Sequence, residues 1–215
     1  MARASVDAAL ARPLTRPLAR GFPDPVHDAQ GVFRAAMEAL SRPGRIGPLV
    51  TALAPPAPLT PELAALALAL VDADTPVWLD APLRAEPAVA AFLRFHTGAP
   101  IVAEPERATF ALIADPARCP AFTAFAQGTL AHPDASATLI LAVETLSNDA
   151  GPAFAGPGLR EATRFGAGPL PADWVARLVA NQAGFPQGID LLFVAPGRLA
   201  GLPRSARPVA PEVSS

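Results

Sequence analysis

The N-terminal part of the chain contains one segment whose apolar residues repeat with the period of an α-helix. Phe33, Met37 and Leu40 are spaced i, i+4 and i+7, so they lie on one side of a helix and form an apolar stripe. Asp24 and Asp28 are both suitable residues for capping the start of this helix. The pattern therefore predicts an amphipathic helix that begins near these two aspartates.

This helix is predicted to end near Ser41, in the segment 41–45, whose sequence is Ser-Arg-Pro-Gly-Arg. A residue that precedes proline disfavours helical backbone, and a Pro-Gly pair is typical of a tight turn. The two arginines of the turn, Arg42 and Arg45, are the candidate anion-binding residues because guanidinium groups bind phosphate-like oxygens well. The alternative is that they only neutralise the negative end of the helix dipole.

Further apolar patterns predict four more helices and four strands. Thr60 and Pro61 favour a helix start ahead of segment 62–71. The other helical segments are 86–96, 117–127 and 172–182. The strand segments are 74–80, 109–114, 138–143 and 189–194, of which the last three are nearly continuous apolar runs. Such runs are typical of strands covered on both faces, and their alternation with helices predicts an α/β fold with a mixed sheet flanked by helices on both faces.

The arrangement of these elements predicts one domain over residues 23–207. The 27 prolines are spread along the whole chain instead of marking a linker. Residues 1–22 are expected to be a mobile tail, and residues 208–215 a second tail. The first of these is rich in arginine and poor in acidic residues, so an organelle transit peptide is the alternative for it.

Composition narrows the classes of partner. The 215 residues are 51% hydrophobic and carry a formal net charge of −2, without the basic excess that nucleic-acid-binding and membrane-surface proteins normally show. The longest apolar run, 63–71, is much shorter than the roughly 20 residues of a membrane-spanning helix. We therefore expect neither nucleic acid nor membrane as a partner, and the cytoplasm as the location.

The residue types that the chain lacks exclude several kinds of chemistry. All 17 basic residues are arginine, so no lysine is present to form a Schiff base or to complete a Walker A phosphate loop. A single cysteine, Cys119, is too few for an iron–sulfur cluster. The three histidines, His27, His96 and His132, lie far apart in sequence and lack the spacing of a local metal site. We expect no cofactor and no metal.

Two segments near predicted strands carry polar groups that need an explanation. Segment 185–190 leads into a strand that should be buried, and the acid Asp190 there is either a general base or a group that satisfies backbone donors or pairs with an arginine such as Arg204. The loop 156–160, Gly-Pro-Gly-Leu-Arg, can present backbone N–H groups to an anion, with Arg160 nearby, but we favour a plain turn with Pro157 and Gly158 at its central positions.

The segment His132–Asp134 offers an acid–base pair in a loop, although no serine or cysteine nucleophile accompanies it at a recognisable position. A solvated turn explains these residues as well. Neither this segment nor any other supplies a set of residues from which we predict a catalytic site.

Six segments, taken together and in order, resemble one family. They are 33–44 (FRAAMEALSRPG), 72–79 (DADTPVWL), 128–141 (GTLAHPDASATLIL), 156–159 (GPGL), 181–191 (NQAGFPQGIDL) and 201–204 (GLPR). No single piece is specific, but the six in this order are similar to the PhnH family, the H subunit of the bacterial carbon–phosphorus lyase core complex. The resemblance extends from about Pro23 to Arg207, and the arginine-containing start lies outside it.

This resemblance implies a role in the use of organic phosphonates. It implies membership of a transferase complex with G, I and J subunits, in which a phosphonate displaces adenine from ATP to give ribose 1-phosphonate 5-triphosphate. It also implies a homodimer when the subunit is isolated, and a fold similar to the large domain of pyridoxal-phosphate-dependent transferases without their cofactor site. No catalytic residue is carried over from the family.

The resulting hypothesis is a structural or auxiliary subunit that is not catalytic by itself. An interface role predicts exposed apolar patches. One alternative is an independent phosphonate- or phosphate-binding enzyme, in which Arg42 and Arg45 hold the anion and Asp190 acts as base, with all three converging on one concave site. The other alternative is a homodimeric binding module unrelated to phosphonates.

Overall fold

The computed structural model describes residues 18–209, so most of the two predicted tails lies outside the described residues. Five α-helices form within that range. They are α1 (Pro25–Ser41), α2 (Pro61–Leu70), α3 (Ala81–Ala85), α4 (Pro87–Thr97) and α5 (Trp174–Ala183). Four short 3-10 turns occur between them, at Pro105–Arg107, Pro116–Arg118, Phe122–Ala124 and Pro133–Ala135.

Twelve strands lie in the same described range. They are β1 (Gly47–Pro48), β2 (Val77–Leu79), β3 (Ile101–Val102), β4 (Phe110–Ile113), β5 (Thr138–Ala142), β6 (Thr145–Ser147), β7 (Ala153–Ala155), β8 (Thr163–Arg164), β9 (Gly166–Gly168), β10 (Asp190–Ala195), β11 (Arg198–Leu202) and β12 (Arg207–Val209). Seven of them form one sheet in the order β1-β11-β10-β5-β4-β2-β3. The strands from β10 to β3 are parallel neighbours, whereas β11 pairs antiparallel with both β10 and β1, so the predicted mixed sheet is confirmed.

The sheet separates the core into two apolar layers because successive side chains of a strand point to opposite faces. On β10, Leu192 and Val194 face the first layer, whereas Leu191 and Phe193 face the second. Helices α1, α2 and α4 contribute to the first layer. The second layer includes Leu178 of α5, together with residues of the 3-10 turns and of two small sheets, β12-β7-β8 and β6-β9.

The predicted helix starts are confirmed by side-chain caps. Asp24 Oδ1 accepts hydrogen bonds from the backbone N–H groups of Val26 and His27 at the start of α1, at 3.2 and 3.1 Å. Thr60 Oγ1 accepts the N–H of Leu63 at the start of α2, at 3.2 Å. Each cap satisfies backbone donors that the first turn of a helix leaves free, so these boundaries follow from local sequence.

The prediction of a helix over residues 117–127 is wrong. This segment holds the end of one 3-10 turn and the whole of a second, Phe122–Ala124, and Cys119 lies between them. Pro120 is the physical reason, because its ring clashes with a helical backbone and disfavours helical geometry at the preceding residue. The side chain of Gln127 then donates to the carbonyl groups of Phe122 and Phe125, both at 2.8 Å, and fixes the segment in a folded loop.

The first and the last described residues pack against the rest of the fold. His96 Nε2 lies 2.9 Å from the carbonyl oxygen of Ala19, and Phe22 packs against the first apolar layer. At the other end, β12 pairs with β7. Across residues 18–209, no helix is both long enough and apolar enough to span a membrane.

Candidate functional site

The turn that ends α1 is built as its sequence predicts. Arg42 caps the helix and donates its N–H to the carbonyl of Glu38 at 3.1 Å, while Ser41 Oγ donates to the same carbonyl at 2.9 Å. Gly44 has a φ of 74°, which the turn requires and which glycine adopts without strain. Its N–H donates to the carbonyl of Gly201 on β11 at 2.8 Å, so the turn is fixed to the main sheet.

The two predicted anion-binding arginines share one carboxylate. An Nη1 atom of Arg42 lies 3.3 Å from Glu38 Oε1, and an Nη1 atom of Arg45 lies 3.6 Å from the same oxygen. All three side chains are more than half exposed, at 53%, 58% and 55% for Arg42, Arg45 and Glu38. Exposed ion pairs of this kind stabilise a protein by only about 0.2–1 kcal/mol, so fold stability alone gives little reason for both arginines.

A cleft of about 340 Å³ lies between α1 and the segment that follows the turn. Its lining includes Arg34, Glu38 and Arg45, but not Arg42, so the structure places only one of the two predicted arginines there. Gly31 and Gly47 also line the cleft, and a Cβ atom added to either would meet no atom within 4 Å. The cleft is therefore open space bordered by two guanidinium groups and one carboxylate.

Sequence reasoning missed Arg34 as a member of this cluster. Arg34, Glu38 and Arg42 are each four residues apart on α1, so they form a charged row along one side of the helix. That i, i+4 spacing was visible in the sequence and could have identified Arg34. What the sequence does not show is that Arg45, beyond the turn, lines the same cleft as Arg34.

The Gly-Pro-Gly loop packs directly against the turn that ends α1. The N–H of Leu159 donates to the carbonyl of Gly156 at 3.2 Å, which confirms the plain-turn interpretation of this loop. Gly158 has a φ of 86°, and a Cβ atom there would lie 2.1 Å from the carbonyl oxygen of Ser41 and 3.3 Å from Pro43 Cδ. Gly158 thus permits a close approach of the loop backbone to the turn. Three of the segments that resemble the family, 33–44, 156–159 and 201–204, therefore meet at the end of α1.

Asp190 is occupied by Arg204, as one of the two interpretations predicts. The Asp190 carboxylate accepts from Arg204 Nη2 at 2.6 Å, from Nε at 3.2 Å and from the backbone N–H at 2.8 Å. Arg204 Nη1 also donates to the carbonyl of Pro133. Both side chains of the pair are largely buried, with exposed fractions of 16% and 17%. These three hydrogen bonds tie the start of β10 to the chain after β11.

The constellation required by the independent-enzyme alternative does not form. Arg42 and Arg45 contact Glu38 at the surface, whereas Asp190 is held by Arg204 inside the fold. The lining of the arginine cleft does not include Asp190. The three residues therefore do not converge on one concave site, as that alternative demands.

His132 and Asp134 also form no acid–base pair in the described structure. They flank Pro133 in an exposed 3-10 turn, in which the N–H of Ala135 donates to the carbonyl of His132 at 3.2 Å. Over the described range 18–209, no group of three or more histidine, cysteine, aspartate or glutamate side chains is placed to hold a metal ion. The segment has the geometry of a solvated turn.

Asp80 is a buried carboxylate that sequence reasoning overlooked. It follows β2 directly and is 5% exposed. Its Oδ1 atom accepts the N–H of Leu83 at 3.2 Å as the cap of α3, and its Oδ2 atom accepts the N–H groups of Ala114 and Asp115, both at 2.8 Å. Burial raises the pKa of Asp80, because desolvation outweighs these backbone donors.

The position of Asp80 in the sheet is one where α/β proteins often bind ligands. The chain passes from β2 to β3 on one side and then to β4 on the other, so strand order reverses at β2. Here, however, the carboxylate accepts three backbone N–H groups, one in α3 and two in the loop after β4. Asp80 therefore connects the start of α3 to the loop after β4, which gives it a structural role.

The outer face of α1 carries large apolar side chains that the fold leaves uncovered. Val26, Phe33 and Met37 are 61%, 49% and 41% exposed, and Phe33 and Met37 line a shallow hollow together with Ala69 of α2. The predicted stripe of α1 is thus divided, because Leu40 packs against the core while Phe33 and Met37 do not. The buried side of the helix consists of Val32, Ala36 and Ala39.

Two comparisons with known proteins identify the family of this chain. The family model described as bacterial phosphonate metabolism protein (PhnH) matches residues 20–208. A relative from Rhizobium meliloti, named alpha-D-ribose 1-methylphosphonate 5-triphosphate synthase subunit PhnH, is 41% identical over 186 residues, which cover 86% of this chain and 92% of the relative. The chain belongs to the PhnH family of bacterial phosphonate metabolism proteins.

Proposed function

We propose that this chain is a docking subunit of an assembly that makes alpha-D-ribose 1-methylphosphonate 5-triphosphate, and that it performs no chemistry by itself. The name of the relative supports the first part, because that protein is a subunit of the synthase of this compound and aligns over 92% of its length. In the proposed reaction a phosphonate takes the place of adenine on ATP. The assembly acts in the cytoplasm.

The exposed apolar face of α1 is the observation that carries the docking role. Val26, Phe33 and Met37 lie at positions i, i+7 and i+11, so they follow one side of the helix over about three turns. Large apolar side chains that remain exposed together on a folded chain typically mark a surface for another protein. We define this set as the α1 stripe.

The state of the candidate catalytic groups supports a non-catalytic role. Asp190 accepts three hydrogen bonds from Arg204, and Asp80 accepts three from backbone N–H groups. Burial raises the pKa of the Cys119 thiol to about 12, so this thiol is a poor nucleophile at neutral pH. In the described structure Asp190 and Asp80 therefore act as structural contacts, and Cys119 is a buried thiol.

The partners that we propose are the G, I and J subunits of the carbon–phosphorus lyase core complex. In the isolated state, a second copy of this chain covers the same stripe and gives a homodimer. An antiparallel pair of α1 helices would bring Val26 of one copy near Met37 of the other, which is the reciprocal geometry of a two-fold interface. One domain over residues 23–207, similar in fold to the large domain of pyridoxal-phosphate-dependent transferases, is part of the same proposal.

The test uses the full chain with Phe33→Glu and Met37→Glu, each of which places a charge in the stripe. We expect both variants to lose co-purification with co-expressed G, I and J subunits, because burying an unpaired carboxylate in an interface is unfavourable. Val179→Glu is the matched control, since Val179 is an exposed apolar residue of α5 with an exposed fraction of 52%. Circular dichroism checks that all three variants fold.

Activity gives the second measurement. Adenine release from ATP and methylphosphonate is followed with the assembled subunits, with and without this chain, and with this chain alone. We expect release only from the assembly. Turnover by the isolated chain, or no association of the parent chain with any of the three subunits, would contradict the proposal.

A further inference from the structure

We infer that Arg34 and Arg45 bind acidic side chains of the partner subunit that covers the α1 stripe. The inference rests on the proposed docking function and adds the chemistry of the partner surface. It assigns Arg34, and not Arg42, as the companion of Arg45 in the anion-binding role.

The local charge balance is the first argument. Arg42 and Arg45 contact Glu38, and Arg34 lines the same cleft as Glu38 and Arg45, so this cluster of three arginines and one carboxylate carries two more positive than negative charges. The whole chain has a formal charge of −2, which makes this cluster opposite in sign to the protein as a whole. Among the described residues Arg34 has no carboxylate partner within salt-bridge distance. An acidic surface would complement this excess.

The position of Arg34 is the second argument. Arg34 lines the cleft that contains Arg45, and it also lines the apolar hollow formed by Phe33, Met37 and Ala69. The cleft and the apolar stripe are therefore adjacent, with Arg34 at their border. An apolar centre with arginine at its edge is the usual composition of a protein interface.

The shape of the cleft is the third argument. Gly31 and Gly47 leave two positions of its wall without side chains, and a Cβ atom added at either would enter open space. The resulting space of about 340 Å³ accommodates one or two side chains of a partner between the guanidinium groups. Ile46 and Leu199 line the same cleft and provide apolar contact for the methylene groups of an incoming glutamate.

Solvent exposure favours a protein partner over a small free anion. The Arg45 side chain is 58% exposed, and a charge pair in bulk water is weak because of the high dielectric constant. Sites for small ligands normally bury most of the ligand, which an open cleft cannot do. A subunit that covers the α1 stripe removes water from the cleft as well, and each arginine–carboxylate pair becomes stronger.

The experiment measures the affinity of the full chain for the co-expressed G, I and J subunits at low and high salt. We expect Arg34→Gln and Arg45→Gln each to weaken binding about five- to tenfold at low salt, and to reduce the salt dependence of the affinity. Arg84→Gln is the matched control, because Arg84 is an exposed arginine at the end of α3, and it should leave both quantities unchanged.

The outcomes separate this inference from the proposed function. If Phe33→Glu abolishes association while Arg34→Gln and Arg45→Gln bind like the parent chain, the acidic-partner inference is wrong and the docking role stands. If the parent chain binds none of the subunits, the docking role itself fails. A third result, saturable binding of inorganic phosphate that both arginine variants lose while partner affinity stays unchanged, would show a small-anion site and would also overturn the inference.

Discussion

Two arginine–carboxylate contacts in this molecule have the same chemistry and opposite surroundings. The Arg204–Asp190 pair is largely buried, with a shortest contact of 2.6 Å and three donors on one carboxylate. The contacts of Arg42 and Arg45 with Glu38 are exposed and longer, at 3.3 and 3.6 Å. The difference shows that an arginine–carboxylate pair is a structural link where water is excluded. An exposed pair is weak, so its arginine can exchange that contact for a binding partner.

The comparison is sharpened first by removing the arginine from each contact. Arg204→Met leaves the Asp190 carboxylate partly buried without its partner, so we expect the free energy of unfolding to fall by about 3 kcal/mol. Arg42→Met removes an exposed contact, and we expect a change below about 0.5 kcal/mol. Urea unfolding monitored by circular dichroism measures both. Equal losses in the two variants would mean that the burial difference has no energetic meaning.

The second prediction concerns the contact between the Gly-Pro-Gly loop and the end of α1. Gly158→Ala places a methyl group 2.1 Å from the Ser41 carbonyl oxygen at a position with φ of 86°, so the loop must move. We expect a loss of about 2 kcal/mol, measured by the same unfolding method.

Gly31→Ala is the matched control for that prediction, because it adds the same methyl group where no atom lies within 4 Å. Since Gly31 lies inside α1, alanine should instead stabilise the protein by up to about 1 kcal/mol. A Gly158→Ala variant as stable as the parent chain would show that the loop does not need its close approach to the turn.

The smallest expected effect belongs to Asp80, a buried carboxylate without an arginine. Burial raises the pKa of Asp80 above its ordinary value of 3.8 in the folded state. The folded protein therefore binds a proton more tightly than the unfolded chain does. The stabilising contribution of protonated Asp80 is complete below pH 3.8 and is lost as pH rises through the raised pKa.

Asp80→Asn removes this titration. The difference in unfolding free energy between the parent chain and Asp80→Asn should therefore shift against the parent as pH rises from about 3.5 to 7. Unfolding curves at several pH values measure that difference. A constant difference over the range would mean that the three backbone donors keep the pKa near its ordinary value.

Much of the fold could be predicted from local sequence. The caps of α1 and α2, the apolar runs of β4, β5 and β10, and the end of α1 at a Pro-Gly turn all agree with the structure. The helix expected over 117–127 failed because its apolar content was given more weight than Pro120. The short strands β6 to β9 were not predicted, since two or three residues carry no recognisable period.

The candidate site was predictable only in part. Arg42 and Arg45 were identified from the turn sequence, and Arg204 was named as a possible partner of Asp190, which the structure confirms. Whether Arg42 and Arg45 bind an anion stays a prediction. The exposure of Phe33 and Met37 was not predictable, because the same apolar spacing serves a buried and an uncovered helix face equally well.

The sequence by itself determined the α/β class, the capped starts of α1 and α2, the end of α1 and the absence of lysine chemistry, because caps, prolines and composition act within a few residues. Only the tertiary structure decided which arginine is a structural link and which remains free. Arg204 meets Asp190 because β10 and β11 pair antiparallel, and Arg34 lines the same cleft as Arg45 because the turn folds back beside α1. Such contacts depend on distances between segments that are remote along the chain, and local sequence carries no direct record of them.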